Sequence, residues 1–153
     1  MDSKILNNFL SIAGQGQKMP IEIPDFGRED LARLFAELGF KKEKMVLLTI
    51  GGGDDGFETI KVFLQALQQK SKEIFFDTLI ITGPFLTPEQ KNELEQLKLP
   101  ALVQTKEFFE DLSPYMQAAD LVVSMGGYNT FSEILTYASK ALLIHRITHR
   151  KEQ

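Results

Sequence analysis

The residues of this chain best suited to chemistry stand together as Gly126-Gly127-Tyr128-Asn129-Thr130-Phe131-Ser132-Glu133. The run before them, Ala119-Asp120-Leu121-Val122-Val123, reads as a strand, and Phe131–Ala138 alternates like a helix. The two glycines therefore sit on a strand-to-helix turn, the place where a doubly wound sheet receives phosphates. Glycine lets the backbone turn sharply and lets a ligand come close. The N–H groups of Tyr128, Asn129 and Thr130 would face an anion, helped by the helix dipole. Glu133, two or three residues into that helix, repels phosphate but can accept hydrogen bonds from neighbouring sugar hydroxyls. Taken alone, Gly-Gly also reads as a plain tight turn, and Glu133 as a favourable acid near a helix start.

A second glycine run, Gly51-Gly52-Gly53-Asp54-Asp55-Gly56, follows the apolar stretch Met45–Ile50. Two such loops on neighbouring strands make a cleft that a diphosphate enters without side-chain obstruction. Each N–H bond to a charged phosphate oxygen is worth about 1.5–3 kcal/mol, so a few suffice without a metal. The run is not a dinucleotide fingerprint, because no acid closes the next strand, and without Gly-Lys-Ser/Thr it is not a P-loop. Asp54 and Asp55 suit an open cleft or sugar hydroxyls better than a phosphate. His145 and His149 lie four apart, but they follow a strand and have no third ligand, so no metal site is assigned to them. They lack an Asp or Ser partner at triad-like spacing and read as surface or cleft-lining residues, so no catalytic residue is assigned. Phe75-Phe76 reads as core. Phe108-Phe109 sits on a ligand-side loop and stays open to stacking. Arg146, Arg150 and Lys151 could offset diphosphate charge, and they also read as an exposed basic loop.

The elements that position these residues follow a βαβα order. Strands are expected at Met45–Ile50, Thr78–Thr82, Ala101–Gln104, Leu121–Ser124 and Ala141–Ile144. Helices are expected at Phe57–Gln69, from Thr87-Pro88-Glu89 onward with a cap and first-turn proline, at Leu112–Ala118 and at Phe131–Ala138. This alternation predicts an α/β fold: a Rossmann-like, doubly wound parallel sheet of about five strands with helices on both faces. Ahead of it lies an N-terminal helical and linker arm, residues 1–43. It comprises an apolar stripe in Met1–Ala13, a Gly- and Pro-rich stretch Gly14–Gly27, and a helix Arg28–Gly39 stopped by Gly39. Residues 44–153 form the sheet domain. It closes a few residues past the fifth strand, where a further covering helix is expected, so the domain reads as truncated or completed by something else.

Size and composition permit one globular domain. The chain has 153 residues, 43% hydrophobic and 25% charged, with net charge −4. No basic surplus points to nucleic acid or an anionic membrane. Cysteine is absent, which removes disulfide and thiolate chemistry and fits a reducing compartment. No apolar run is long enough to span a membrane, and Asn7-Asn8 interrupt any signal-peptide core.

From about Lys44 to its end the chain resembles the C-terminal, donor-binding domain of GT-B glycosyltransferases. It is most similar to glycosyltransferase family 28, the family of the lipid II UDP-N-acetylglucosamine transferase. The similarity is densest from Glu107-Phe108-Phe109-Glu110-Asp111-Leu112 through Ala118–Ser124 to Gly126–Glu133, in the family's spacing without a gap. Arg150-Lys151-Glu152-Gln153 resembles the family's closing basic residue and glutamine. The resemblance implies roles. Glu133 would hold the ribose hydroxyls of UDP, and the backbone of Gly126, Gly127, Tyr128, Asn129 and Thr130 the diphosphate. The segment at Phe108 and Phe109 would bond the uracil edge, Gly51, Gly52 and Gly53 would face the diphosphate and the acceptor, and Gln153 would touch the sugar. The loop Gly53-Asp54-Asp55 departs from the Ser-Gln common in the family, and Tyr128-Asn129 is bulkier than the usual turn.

The implied function is the donor-binding half of a glycosyltransferase. It would bind a UDP-sugar without cofactor or metal and, in the full-length enzyme, pass the sugar to an acceptor hydroxyl. The implied partner is an acceptor-binding N-terminal domain or subunit, which would supply the catalytic base. Without it the chain is expected to be inactive. A cytoplasmic place is expected, at the inner membrane face in the full-length protein, with peripheral membrane contact only through the missing half. Two alternatives stay open: a separate subunit that docks to an acceptor-binding partner, and a non-catalytic Rossmann-like module.

Overall fold

The computed structural model describes residues 26–51, 56–97, 103–125, 127–137 and 140–144. The expected helix over Met1–Ala13 and nearly all of the Gly14–Gly27 linker lie outside them. The elements are α1 (Arg28–Glu37), β1 (Met45–Thr49), α2 (Phe57–Gln69), β2 (Asp77–Ile81), α3 (Pro88–Gln96), β3 (Val103–Lys106), α4 (Ser113–Ala118), β4 (Leu121–Ser124), α5 (Tyr128–Tyr137) and β5 (Ala141–Leu143). All strand pairs are parallel, in the order β3-β2-β1-β4-β5. This is the doubly wound α/β sheet that the alternation predicts.

Strand β1 is central, and all five of its residues are buried. A parallel strand covered on both faces must be apolar throughout rather than alternating, and Met45-Val46-Leu47-Leu48 is. Successive side chains still point to opposite faces. Val46, Leu48 and Ile50 join Phe57, Ile60, Leu64 and Leu67 of α2 and Leu94 of α3 in one core. Met45 and Leu47 join Leu38 behind α1, Met116 of α4 and Ile134 of α5 in the other. Each such fully buried aliphatic side chain contributes roughly 1.5–3 kcal/mol. Helix α3 starts as its sequence predicts: Thr87 and Gln90 exchange side-chain and backbone hydrogen bonds in a capping box, with Pro88 in the first turn.

Two acids fix the amino ends of the strands. Asp77 is 1% exposed, and its carboxylate accepts the N–H groups of Lys41 at 2.5 Å and Lys42 at 2.7 Å. Asp120 accepts the Met45 N–H at 2.9 Å and the Lys44 ammonium at 2.8 Å. Burial pushes the Asp120 carboxyl up. The hydrogen bonds from Lys44 and Met45 and the charges of Lys44 and Lys140 outweigh it, and together they hold the group below its usual range. The α1–β1 connection is thereby tied down at the end of the sheet opposite the glycine loops.

Several element boundaries differ from expectation by one or more residues, and three of them have a physical reason. Strand β3 runs over Val103–Lys106 rather than Ala101–Gln104, where 101 and 102 lie outside the described residues. As an edge strand it pairs only with β2, so Gln104, Thr105 and Lys106 can be polar and still continue the ladder. Helix α5 begins at Tyr128, three residues before the expected Phe131. Its first turn, Tyr128-Asn129-Thr130, carries no apolar periodicity to reveal it. Glu133 is therefore the sixth helical residue, in the second turn. Strand β2 starts one residue early because the Asp77 N–H already donates to the Lys44 carbonyl at 2.8 Å.

Candidate functional site

The strand order reverses between β1 and β4, since β2 and β3 lie to one side of β1 and β4 and β5 to the other. In open α/β sheets the ligand crevice forms at such a switch point, outside the carboxyl ends of the strands. A cleft of about 370 Å³ lies there. Its floor is Thr49 and Gly51 at the end of β1 and Ile81 and Gly83 at the end of β2. One wall is the loop Glu107-Phe108-Phe109-Glu110 with Leu112. The other is Asn129, Thr130 and Glu133 of α5.

Both strand-end glycines are needed by the backbone. Gly51 and Gly83 have φ of 65° and 72°, in the left-handed region that favours glycine. Gly127 differs. Its φ is not left-handed, and a methyl group there would meet nothing within 4 Å. The fold itself does not require a glycine at that position, whereas an incoming ligand would use the open approach to the first turn of α5. The first intrahelical bond of α5 runs from the Phe131 N–H to the Gly127 carbonyl at 2.9 Å. The N–H groups of Tyr128, Asn129 and Thr130 precede it and have no partner inside the helix. They form the positive end of the helix dipole, at the cleft wall.

Glu133 lies one turn further along the same wall and is half-buried. Among the described residues no hydrogen-bond partner holds its carboxyl group. Burial pushes its ionisation above the usual carboxylate range, and the charge of Asp111 adds to that. Phe108 and Phe109 take separate tasks. Phe109 stacks on Tyr115 at 4.1 Å between ring centroids and packs on the core. Phe108 is 68% exposed on the cleft wall. The loop carrying them is held at its far end by Asp111, whose carboxylate accepts the Ser113 N–H at 2.8 Å and also the Ser113 hydroxyl.

Of the residues that the sequence singles out, Gly51, Phe108, Phe109, Asn129, Thr130 and Glu133 are brought together on one cleft. Gly127 and the backbone of Tyr128 adjoin it. Gly52, Gly53, Gly126 and Gln153 lie outside the described residues, as do His145, His149, Arg146, Arg150 and Lys151. Thr49, Ile81, Gly83, Pro84, Glu107, Glu110 and Leu112 also line the cleft and were not singled out as site residues. The signal for most of them is positional: each follows or ends a strand on the ligand side. The described lining carries three carboxylates, of Glu107, Glu110 and Glu133, and no lysine or arginine. Among the described residues no group of three His, Cys, Asp or Glu could hold a metal ion, and no helix is long and apolar enough to cross a membrane.

Known proteins are similar to this chain. The Bacillus subtilis UDP-N-acetylglucosamine--N-acetylmuramyl-(pentapeptide) pyrophosphoryl-undecaprenol N-acetylglucosamine transferase is 30% identical over 112 residues, covering 73% of this chain and 31% of that protein. An uncharacterized glycosyltransferase of Methanosarcina mazei is 30% identical over 117 residues, covering 76% and 29%. The chain thus spans about a third of the length of the curated relatives it matches. Among solved structures, the glycotransferase of kitacinnamycin superposes with a TM-score of 0.53 at 12% identity, covering 90% of this chain and 30% of that one. SnogD, a glycosyltransferase from Streptomyces nogalater, gives 0.52 at 17% identity, covering 88% and 30%. At such identities these two bear on the fold alone, which they share with this chain. Residues 47–153 match the model of the glycosyltransferase family 28 C-terminal domain, and the chain belongs to that family.

Proposed function

We propose that this chain is the donor-binding half of a GT-B glycosyltransferase and that its cleft takes a UDP-sugar. The observation that carries the reading is Glu133: a half-buried carboxyl without a hydrogen-bond partner among the described residues, one turn along the wall from the first-turn amides of α5, which have no partner inside the helix. A lone half-buried carboxylate costs free energy unless something compensates it. Paired hydroxyls of a ribose would compensate it, and the amides one turn away would take the linked phosphates. In this reading the backbone around Phe108 and Phe109 meets the uracil edge. Gly51 to Gly53 face the diphosphate and acceptor, and Gln153 reaches the sugar. Donors fixed before the reaction would stabilise the departing diphosphate without a metal.

The reading also divides the chain into an N-terminal arm, residues 1–43, and the nucleotide-sugar domain, residues 44–153, with α1 docked on the core of the latter. The sugar would pass to an acceptor hydroxyl once an acceptor-binding domain or subunit closes the cleft, in the cytoplasm at the inner membrane face. The chain alone would bind donor weakly and turn nothing over. The alternative of a separate docking subunit has one observation in its favour. All three residues of β5 are exposed, with Leu142 at 54% and Leu143 at 44%, which leaves an apolar edge for a neighbour.

Calorimetric titration with UDP tests the proposal. The expected result is saturable binding of UDP, tighter than of inorganic diphosphate, because the ribose contact is added. Equal affinity for both would remove Glu133 from the reading, and no binding of either at millimolar concentration would remove the reading itself.

A further inference from the structure

We infer that Lys91 of α3 is a positioning residue for the cleft: it draws the Glu107 carboxylate to the α3 side of the cleft wall and offsets its charge there. That the charge matters to a diphosphate rests on the donor-site reading, and the rest on geometry. The described cleft lining holds the carboxylates of Glu107, Glu110 and Glu133 and no lysine or arginine. A diphosphate entering it meets three like charges, each of which raises the cost of binding. Lys91 answers one of them from outside. Its ammonium stands 3.0 Å from the Glu107 carboxylate. Among the described residues neither Glu110 nor Glu133 has such an ion pair.

The position of Lys91 makes its pull one-sided. A second groove, of about 360 Å³, lies between α3 and the end of β3, lined by Lys91, Leu94, Thr105 and Lys106 among others. Glu107 lines both this groove and the cleft, whereas Lys91 lines only the groove. The helix that carries Lys91 is a firm base. Its capping box fixes the first turn, and Leu94, three residues on, is buried in the core. The backbone on either side of Glu107 is fixed as well. The Lys106 carbonyl accepts the Thr82 N–H at 2.9 Å, and Phe109 stacks on Tyr115. What is left to decide is the side to which the Glu107 carboxylate turns, and Lys91 decides it. The two side chains stay 42% and 53% exposed, so the pair adds little to stability and its effect falls on the ligand.

The experiment is calorimetric titration of UDP into the full chain at low ionic strength, where exposed charges are least screened. Lys91→Met keeps a good helix former and removes the charge. It should weaken UDP affinity about two- to fivefold, the range of an exposed charge pair, with the melting temperature unchanged. Lys91→Arg should keep the wild-type affinity. Glu107→Gln should bind UDP more tightly, because it removes the acid and leaves the cation. A pair that only braced the loop would make Lys91→Met and Glu107→Gln both weaker. That result, or a Lys91→Met affinity equal to the wild type, would overturn the inference. A second measurement needs no nucleotide. In the free chain Lys91→Met should shift the amide signals of Glu107 and Phe108 and leave those of Asp111 and Ser113 in place. Unmoved Glu107 and Phe108 signals would likewise count against Lys91. If UDP binds neither the wild type nor any variant while these signals move as stated, the hold of Lys91 on Glu107 stands and the donor reading falls.

Discussion

Replacing Glu133 by glutamine separates the needs of the ligand from the needs of the fold. In the free protein Glu133→Gln removes an acid that burial and Asp111 both disfavour and that no described residue compensates. A carboxyl raised in the folded state stabilises it only while protonated. That contribution is complete below the ordinary glutamate value of about 4.3 and is lost as pH rises through the higher folded value. At neutral pH the glutamine variant should therefore be at least as stable as the wild type, with a difference that vanishes near pH 4. The nucleotide responds in the opposite direction. An ionised carboxylate facing a ribose diol can accept two hydrogen bonds, each worth about 1.5–3 kcal/mol because the acceptor is charged. Glutamine keeps one neutral acceptor, so the net loss is roughly one such bond. At about 1.4 kcal/mol per tenfold this is a 10- to 100-fold weaker affinity for UDP. The assay pairs a calorimetric UDP titration with thermal melting at neutral and acid pH. Unchanged affinity would refute the ribose contact. Lower stability at neutral pH would show that the fold, not a ligand, depends on the acid.

Other substitutions sort the remaining residues into the same two groups. Asp77→Ala strands the N–H groups of Lys41 and Lys42 at a 1% exposed position, and urea unfolding should show a loss of about 3–5 kcal/mol; a loss below about 1 kcal/mol would mean that water replaces the carboxylate. Gly56→Ala should destabilise by about 1–3 kcal/mol, because the new methyl would lie 2.4 Å from the Ile50 Cβ. Gly127→Ala should stay within about 0.5 kcal/mol of the wild type by the same assay yet weaken UDP binding, since its methyl meets only the open approach to α5. The reverse order for the two glycines would contradict the assignment of one to packing and the other to ligand access.

The elements with a physical signature in the chain were legible before any coordinates. Met45-Val46-Leu47-Leu48 is apolar without alternation and is the strand buried on both faces. Helix α2 occupies Phe57–Gln69 as its apolar stripe predicts, and Thr87-Pro88 announces the start of α3. Where the signal is polar, the boundary slips. The outer half of β3 and the first turn of α5 are held by backbone hydrogen bonds that apolar spacing cannot report. For the cleft, glycines and an isolated acid were visible because they break the surrounding pattern. Thr49 and Ile81 were not, because they read as the last residues of buried strands and reach the site only where the sheet sets β1 between β2 and β4.

The most direct measurement is amide chemical-shift mapping of the full chain as UDP is added. The shifts should concentrate at Gly51, at Gly83, across Glu107–Glu110 and from Gly127 to Glu133, and should spare Lys41, Lys42, Met45 and Asp120 at the far end of the sheet. Perturbation at that far end with a silent α5 N-terminus, or none anywhere at millimolar UDP, would contradict a nucleotide seat at the switch point.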